Sequence, residues 1–310
     1  MPPNPLRQTG QPQPPRPIAR ADIVRIASGM GVPVDVIEKD YVLSYLLAGT
    51  SSVPALAGLR FKGGTALKKM IFGPSYRFSE DLDFSAVGVP QGQAIDPHVA
   101  AAVQAVERRL GERGRFRVEF DRMPDREPHP TGQDSFRVRV AFPWQSTPQV
   151  RVKLEITHDE PVLLATQSRL ILHGYDQLGE YEALAAVEVE TYALEEIVAE
   201  KLRSLRQTQQ RLEARGWNRP RARDYYDLWR LLSDFGAEIN APEVRRILPA
   251  KMAHRGVRYR CLEDFFTEQL VSEARRHWLG TLGTFVSPLP DLEVVLAELR
   301  PLIAALLELS

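Results

Sequence analysis

Two aspartates spaced two residues apart, Asp81 and Asp83, are the residues of this chain best suited to chemistry. Side chains alternate between the two faces of a β-strand, so both carboxylates would point one way while Leu82 and Phe84 enter a core. Two carboxylates on one face suit the binding of Mg²⁺ against a nucleoside triphosphate. The alternative is an ordinary strand edge that carries two acids in solvent.

A glycine pair, Gly63-Gly64, precedes the aspartates and lies between a predicted short strand and a predicted helix. Backbone N–H groups at such a helix start can bind phosphate, although glycine pairs also form plain tight turns. The spacing of a Walker A loop is absent. The glycine pair and Ser79, which we expect to be exposed, favour the metal–phosphate interpretation of the aspartates.

A strand-like run at 149–157 adds a third acid, Glu155. If Val152 and Leu154 face the core, Lys153 and Glu155 share the opposite face. Should this strand lie beside Asp81 and Asp83, three carboxylates could hold two Mg²⁺ ions about 3.5–4 Å apart. Lys153 would then be a candidate phosphate contact. The alternative is a Lys–Glu pair on a solvated face.

Two later helices carry further charged candidates. Lys201 borders the apolar stripe of a helix that begins near residue 193, and its ammonium is placed to reach a triphosphate. Asp224 and Asp227 share one face of the next helix beside apolar residues. Helix dipoles favour acids in a first turn, but acids beside an apolar face also indicate a buried interaction, with an arginine or with the Lys201 helix.

Seven arginines fall within residues 203–223, although the chain as a whole has 40 Lys+Arg and 40 Asp+Glu and no net charge. This local cluster is typical either of contacts to an RNA backbone or of a solvated helix–loop–helix surface. The candidate RNA contacts are Arg203, Arg206, Arg221 and Arg223.

The composition limits the class of protein. A single cysteine, Cys261, excludes an intramolecular disulfide and a cysteine zinc cluster, and it favours a reducing, cytoplasmic location. The sequence has no apolar run of transmembrane length and no signal peptide at its start, so we expect no membrane partner.

The periodicity divides the 310 residues into three parts. Residues 1–18 form a proline-rich arm that we expect to be disordered. Residues 19–192 combine helices (20–48, 64–71 and 96–113) with strands (58–62, 80–86, 116–120, 135–142, 149–157 and 186–192), and the runs from 116 to 157 predict an antiparallel meander. Residues 193–310 are predicted to be helical, with later helices at 242–252, 261–277 and 290–308. The fold class is therefore α+β.

The order of the motifs resembles the AbiEii/AbiGii-type nucleotidyltransferase toxin family, including its MenT-like members. The resemblance rests on GGTALKK, RFSEDLDFS, VKLEIT, EEIVAEKLRSL and RARDYYDLWRLL, in that order. It implies a polymerase-β-like minimal nucleotidyltransferase core with a mixed sheet and a helical C-terminal domain. It also implies a Mg²⁺-dependent toxin of a type IV toxin–antitoxin or phage abortive-infection system, which adds nucleotides from an NTP to the 3′ acceptor end of tRNA.

The resemblance assigns roles to individual residues. It implies that Gly63, Gly64, Thr65, Ser79, Lys153 and Lys201 bind nucleotide phosphates, that Asp81, Asp83 and Glu155 bind metal, and that Asp224 joins these three acids and Lys201 as a catalytic residue. A cognate antitoxin is implied as partner, and a kinase-type regulator would act by phosphorylating Ser79. A protein or small-molecule acceptor, or an inactive nucleotide-binding module, remains as an alternative.

Overall fold

A computed structural model describes residues 16–124, 132–178, 184, 186–216 and 220–309. The predicted disordered arm therefore lies outside the described residues except for its end. That end is packed rather than loose, because Ile18 is buried and its N–H donates to the Arg113 carbonyl at 2.9 Å. Arg16 pairs with Asp22 at 3.0 Å.

Nine α-helices are present within the described ranges. They are α1 (Arg20–Met30), α2 (Val34–Ser51), α3 (Gly63–Ala66), α4 (Asp96–Gly111), α5 (Leu194–Arg215), α6 (Ala222–Phe235), α7 (Ala241–His254), α8 (Glu268–Leu282) and α9 (Leu292–Leu307). Helix α3 continues as a π-helical segment, Leu67–Phe72. None of the described helices is long and apolar enough to cross a membrane.

Most predicted helices are confirmed, with one correction. The predicted helix at 261–277 is a short 3₁₀ turn (Leu262–Phe265) followed by α8, because the Thr267 hydroxyl accepts from the Leu270 N–H and starts a new helix. Asp22 is the third residue of α1, and its carboxylate accepts from the Ala19 N–H.

Seven strands form one mixed sheet in the order β3-β4-β5-β2-β1-β7-β6. Their bounds are β1 (Leu59–Lys62), β2 (Asp81–Ala86), β3 (Arg117–Arg122), β4 (Gln133–Ala141), β5 (Val150–Thr157), β6 (Gln167–Leu170) and β7 (Glu188–Thr191). The meander β3-β4-β5 is antiparallel as predicted, and β2 pairs with β5 in parallel. The edge strand β6 was not predicted, because its four residues QSRL show no clear alternation.

Helices α2 and α4 cover one face of this sheet. Leu46 of α2, Val103 of α4, and Leu82, Val138 and Leu154 of the strands surround one common apolar space. The residues of β2 and β5 that face α2 and α4 therefore lie in the core. Their neighbours in sequence must point to the other face of the sheet, where the polar residues of β2 and β5 lie.

The buried apolar residues fall into two clusters. The first cluster holds residues from Ile18 to Val189. The second joins α5–α9 and includes only Leu67, Tyr76 and Tyr192 from earlier in the described chain. This division agrees with the change of pattern that we placed near residue 192, although separate domains remain a prediction.

Candidate active site

The strand β2 places Asp81 and Asp83 side by side on the open face of the sheet. Leu82 and Phe84, between and after them, are buried in the core at 1% and 2% exposure. The parallel pairing with β5 sets Asp81 opposite Lys153 and Asp83 opposite Glu155. The predicted neighbourhood of these three acids is therefore present in the register of the sheet.

Like charges and burial raise the pKa of both aspartates. The pKa of Asp83 is raised to about 7, first by burial and then by the Glu155 carboxylate, while the Lys62 ammonium opposes both. Loss of hydration and the Glu155 carboxylate also raise the pKa of Asp81. Such mutual repulsion is relieved when a cation binds between the carboxylates.

The donor set suits a hard cation in part. Asp81 and Asp83 provide oxygen ligands on one face, as Mg²⁺ prefers. Glu155, however, contacts the Lys153 ammonium at 2.7 Å and accepts from the Gln133 amide. Within the described part of the chain, no group of three or more acidic, histidine or cysteine side chains is arranged to hold a metal ion. The two aspartates therefore fit Mg²⁺, and the role of Glu155 as third ligand stays a prediction.

The glycine pair makes room for two charged side chains of the site. Gly63 has φ +79°, and a Cβ there would lie 2.6 Å from Oδ2 of Asp83. A Cβ on Gly64 would collide with the Arg77 guanidinium. Thr65 is buried and donates its hydroxyl to the Asp81 carbonyl, so this hydroxyl is not available to a phosphate.

A buried charge network holds Lys201. Its ammonium contacts Asp227 at 2.6 Å and Asp224 at 3.1 Å. Asp227 also accepts from Arg77 at 2.5 and 2.6 Å and from the Tyr76 hydroxyl at 2.6 Å. The predicted buried interaction of Asp227 with an arginine and with the Lys201 helix is confirmed.

This network fixes the charge of its members. The Arg77 and Lys201 cations hold the pKa of Asp227 well below its usual range, despite burial that opposes them. Asp227 and Asp224 raise the pKa of Lys201 against its own burial. Lys201 therefore stays protonated at neutral pH, in a fixed position.

A cleft of about 450 Å³ lies between the open face of the sheet and α5–α6. The predicted site residues on its walls are Gly63, Gly64, Ser79, Asp81, Asp83, Lys201, Arg203, Arg221, Arg223 and Asp224. Thr65, Lys153, Glu155 and Arg206 do not line it. Arg206 donates to the carbonyls of Arg258 and Asp264 and lines a separate surface hollow.

Some cleft residues were not foreseen from the sequence. Lys62 is the register partner of Asp83 on β1, and its ammonium pairs with Glu160. Burial lowers the pKa of Lys62 to about 8. Lys62 directly precedes the glycine pair, which was the available signal. The others are Arg77, Thr157, Glu160, Tyr192, Ile197, Glu200, Ser204, Gln207, Pro220 and Arg255, whereas Arg211 belongs to the seven arginines noted in the sequence.

Glu80, between Ser79 and Asp81, ties the site to two helices. Its carboxylate contacts Lys39 of α2 at 3.0 Å and Arg223 of α6 at 3.2 Å. The residues on either side of Glu80 both line the cleft. The bridge therefore fixes the segment that carries them between the sheet part and the helical part.

Comparison with known proteins finds a matching family model and similar solved structures. The family model described as nucleotidyl transferase AbiEii toxin, type IV TA system, matches residues 45–307, a range that includes every cleft residue. Among solved structures, the chain is similar to MenT4, a nucleotidyltransferase toxin from Mycobacterium tuberculosis H37Rv. The TM-score is 0.66 at 25% identity, over 94% of this chain and 91% of that chain. No curated protein matches the chain.

Proposed function

We propose that this chain, which belongs to the AbiEii family of nucleotidyltransferase toxins, transfers nucleotides from a nucleoside triphosphate to RNA, with the 3′ acceptor end of tRNA as substrate. One observation supports the transfer chemistry above others. A single cleft holds an aspartate pair on one wall and, on another, a lysine fixed between two acids.

The two walls would bind opposite parts of the nucleotide. Asp81 and Asp83 would hold Mg²⁺, which, when bound, neutralises the triphosphate and polarises its α-phosphate. Lys201 would contact the phosphate oxygens as a fixed point charge, because Asp224 and Asp227 hold its ammonium in place. Ser79, half-buried on the cleft wall, would donate a hydrogen bond to a phosphate oxygen.

The reaction would be an in-line displacement at the α-phosphorus. The 3′ hydroxyl oxygen of the acceptor bonds to this phosphorus, and the bond from the α-phosphorus to the oxygen that bridges to the β-phosphate breaks. Pyrophosphate leaves, and the hydroxyl proton passes to a carboxylate of the cleft. Most of the rate enhancement would come from positioning and from charge stabilisation, as in other phosphoryl transfers.

The choice of an RNA acceptor rests on the arginines of the cleft. Arg203, Arg221 and Arg223 line it beside the proposed catalytic residues, although the whole chain has no net charge. Concentrated positive charge at one site suits a polyanionic acceptor. The choice of tRNA among RNAs follows the family resemblance of the motifs.

A labelling screen tests the acceptor. The chain is incubated with Mg²⁺ and each labelled NTP in turn, first with total RNA and then with total protein. We expect label in RNA of tRNA length. Label that appears only in protein would show a nucleotidyltransferase with a different acceptor, and label in neither would contradict transferase activity on these substrates.

A further inference from the structure

The cleft extends along α5 beyond the proposed catalytic residues. Residues about one turn apart on α5 line it in one stripe: Ile197, Glu200, Ser204, Gln207 and Arg211. At 1.5 Å per residue, this stripe is about 21 Å long. Lys201 and Arg203 lie toward the start of this stripe, and Arg211 lies at its end.

Four cleft arginines form what we call the arginine cluster: Arg203 and Arg211 of α5, Arg221 at the start of α6, and Arg255 after α7. Three of them are bound to other side chains. Arg203 pairs with Glu200 at 2.6 Å, Arg221 donates to the Thr208 hydroxyl at 3.0 Å, and Arg255 lies 3.7 Å from Glu160.

Arg211 differs from the other three. It is exposed, and the side chains that act on its charge most strongly are four arginines: Arg221, Arg215, Arg203 and Arg255. Together with the loss of hydration they lower its pKa. Because like charges are brought together here at an energetic cost, the arrangement is one that a bound anion would stabilise.

We propose that the Arg211 end of the arginine cluster is a second phosphate subsite, which binds a backbone phosphodiester of the acceptor strand while the triphosphate lies at the Lys201 end. This inference rests on the proposed function, since it assigns the acceptor to one end of the same cleft. Guanidinium groups suit the task, because their planar fork donates two hydrogen bonds to one phosphate.

Distance argues against one triphosphate occupying both ends. Arg211 follows Lys201 by ten residues on one helix, which corresponds to roughly 15 Å along its axis. A phosphate at Arg211 therefore belongs to a different nucleotide from a phosphate at Lys201. The acceptor strand, which must enter with its terminal hydroxyl toward Asp81 and Asp83, supplies such a phosphate.

The test compares Arg211→Gln with Arg246→Gln. Arg246 is exposed on α7, pairs only with Glu243 among the described residues, and does not line the cleft. Binding of unacylated tRNA is measured without NTP by fluorescence anisotropy over a series of salt concentrations, and the KM for the NTP is measured separately. Melting curves check that both variants are folded.

We expect Arg211→Gln to raise the Kd for tRNA about three- to tenfold and to reduce the salt slope of binding by about 1, with the KM for the NTP unchanged. Arg246→Gln should change none of these. Unchanged tRNA affinity in Arg211→Gln, while wild type still transfers nucleotides to tRNA, would overturn the subsite alone. A raised KM for the NTP with unchanged tRNA affinity would assign the cluster to the triphosphate instead. A wild-type chain that neither binds nor labels RNA would overturn the proposed function and the subsite together.

Discussion

Asp83 and Glu155 are direct neighbours across the parallel strands β2 and β5, and both point to the open face of the sheet. The fold thus places a second carboxylate beside the half-buried Asp83, which helps to raise the pKa of Asp83 to about 7. Lys62, the partner of Asp83 on the other neighbouring strand, offsets part of this repulsion. The repulsion between these carboxylates lowers the stability of the fold at the point where the proposed chemistry needs negative charge.

Replacing Asp83 with asparagine should separate stability from activity. The amide removes the charge whose burial is costly, so we expect stability at pH 8 to rise by about 1–2 kcal/mol. Nucleotide transfer should fall at least about 100-fold, because a charged ligand is lost. Asp121→Asn, exposed on β3 in a pair with Arg139, is the control and should leave both nearly unchanged. A less stable but active Asp83→Asn would contradict the interpretation.

The pH dependence has a defined sign. The folded pKa of Asp83, about 7, lies above the ordinary value of 3.8. Its contribution to stability is therefore most favourable below pH 3.8 and is lost as the pH rises to about 7. Without metal, the difference in Tm between Asp83→Asn and wild type should be smaller at pH 5 than at pH 8. A difference that does not change with pH would place the pKa of Asp83 elsewhere.

Gly63→Ala should damage the site by contact as well as by strain. Gly63 and Gly88 both have positive φ, +79° and +67°, but an added Cβ meets Oδ2 of Asp83 only at Gly63. Each alanine should cost about 1 kcal/mol or more in backbone strain. Only Gly63→Ala should also reduce nucleotide transfer, by about tenfold or more. Equal activity in the two variants would show that the Gly63–Asp83 contact is unimportant.

Asp227→Asn should weaken the anchor of Lys201. Loss of this charge leaves the Arg77 and Lys201 cations in a buried position, which typically costs about 3–5 kcal/mol. Chemical denaturation measures this loss. Asp234→Asn, which breaks an exposed pair with Arg230, should cost at most about 1 kcal/mol. In the folded fraction of Asp227→Asn, the KM for the NTP should rise, because Lys201 is held less firmly.

Ser79 should be sensitive to added negative charge. Ser79→Asp places a carboxylate next to Asp81 and Asp83, so binding of a triphosphate should be lost, as it would be after phosphorylation. Ser79→Ala removes one hydrogen bond and should cost about tenfold or less. Calorimetric titration with an NTP and Mg²⁺ measures both. Equal binding by the aspartate and alanine variants would exclude a phosphorylation switch at this position.

Part of the site could be predicted from the sequence alone. The alternation in β2 and β5 predicted that Asp81 and Asp83 share one face and that Glu155 lies near them if the two strands are neighbours, which the sheet confirms. The helical spacing likewise placed Asp224 and Asp227 on one face. Local periodicity decides such features, and it is visible in the sequence.

Contacts between distant segments were not predictable in this way. Lys62 joins the site because β1 pairs antiparallel with β2, and Arg77 joins it through Asp227, 150 residues away. Arg255 reaches the cleft from the end of α7. The sequence also indicated Arg206 as a candidate RNA contact. In the structure, α5 directs its side chain away from the cleft and into a separate surface hollow. These positions depend on how helices pack, which one chain's periodicity does not specify.

The central claim is nucleotide transfer to tRNA that depends on the aspartate pair. The most direct measurement is incubation of purified tRNA and Mg²⁺ with each labelled NTP, using wild type, Asp81→Asn and the control Asp121→Asn. We predict label in tRNA with wild type and with Asp121→Asn, and none with Asp81→Asn. Equal labelling by Asp81→Asn and wild type, or no labelling of tRNA by wild type with any NTP, would contradict the account.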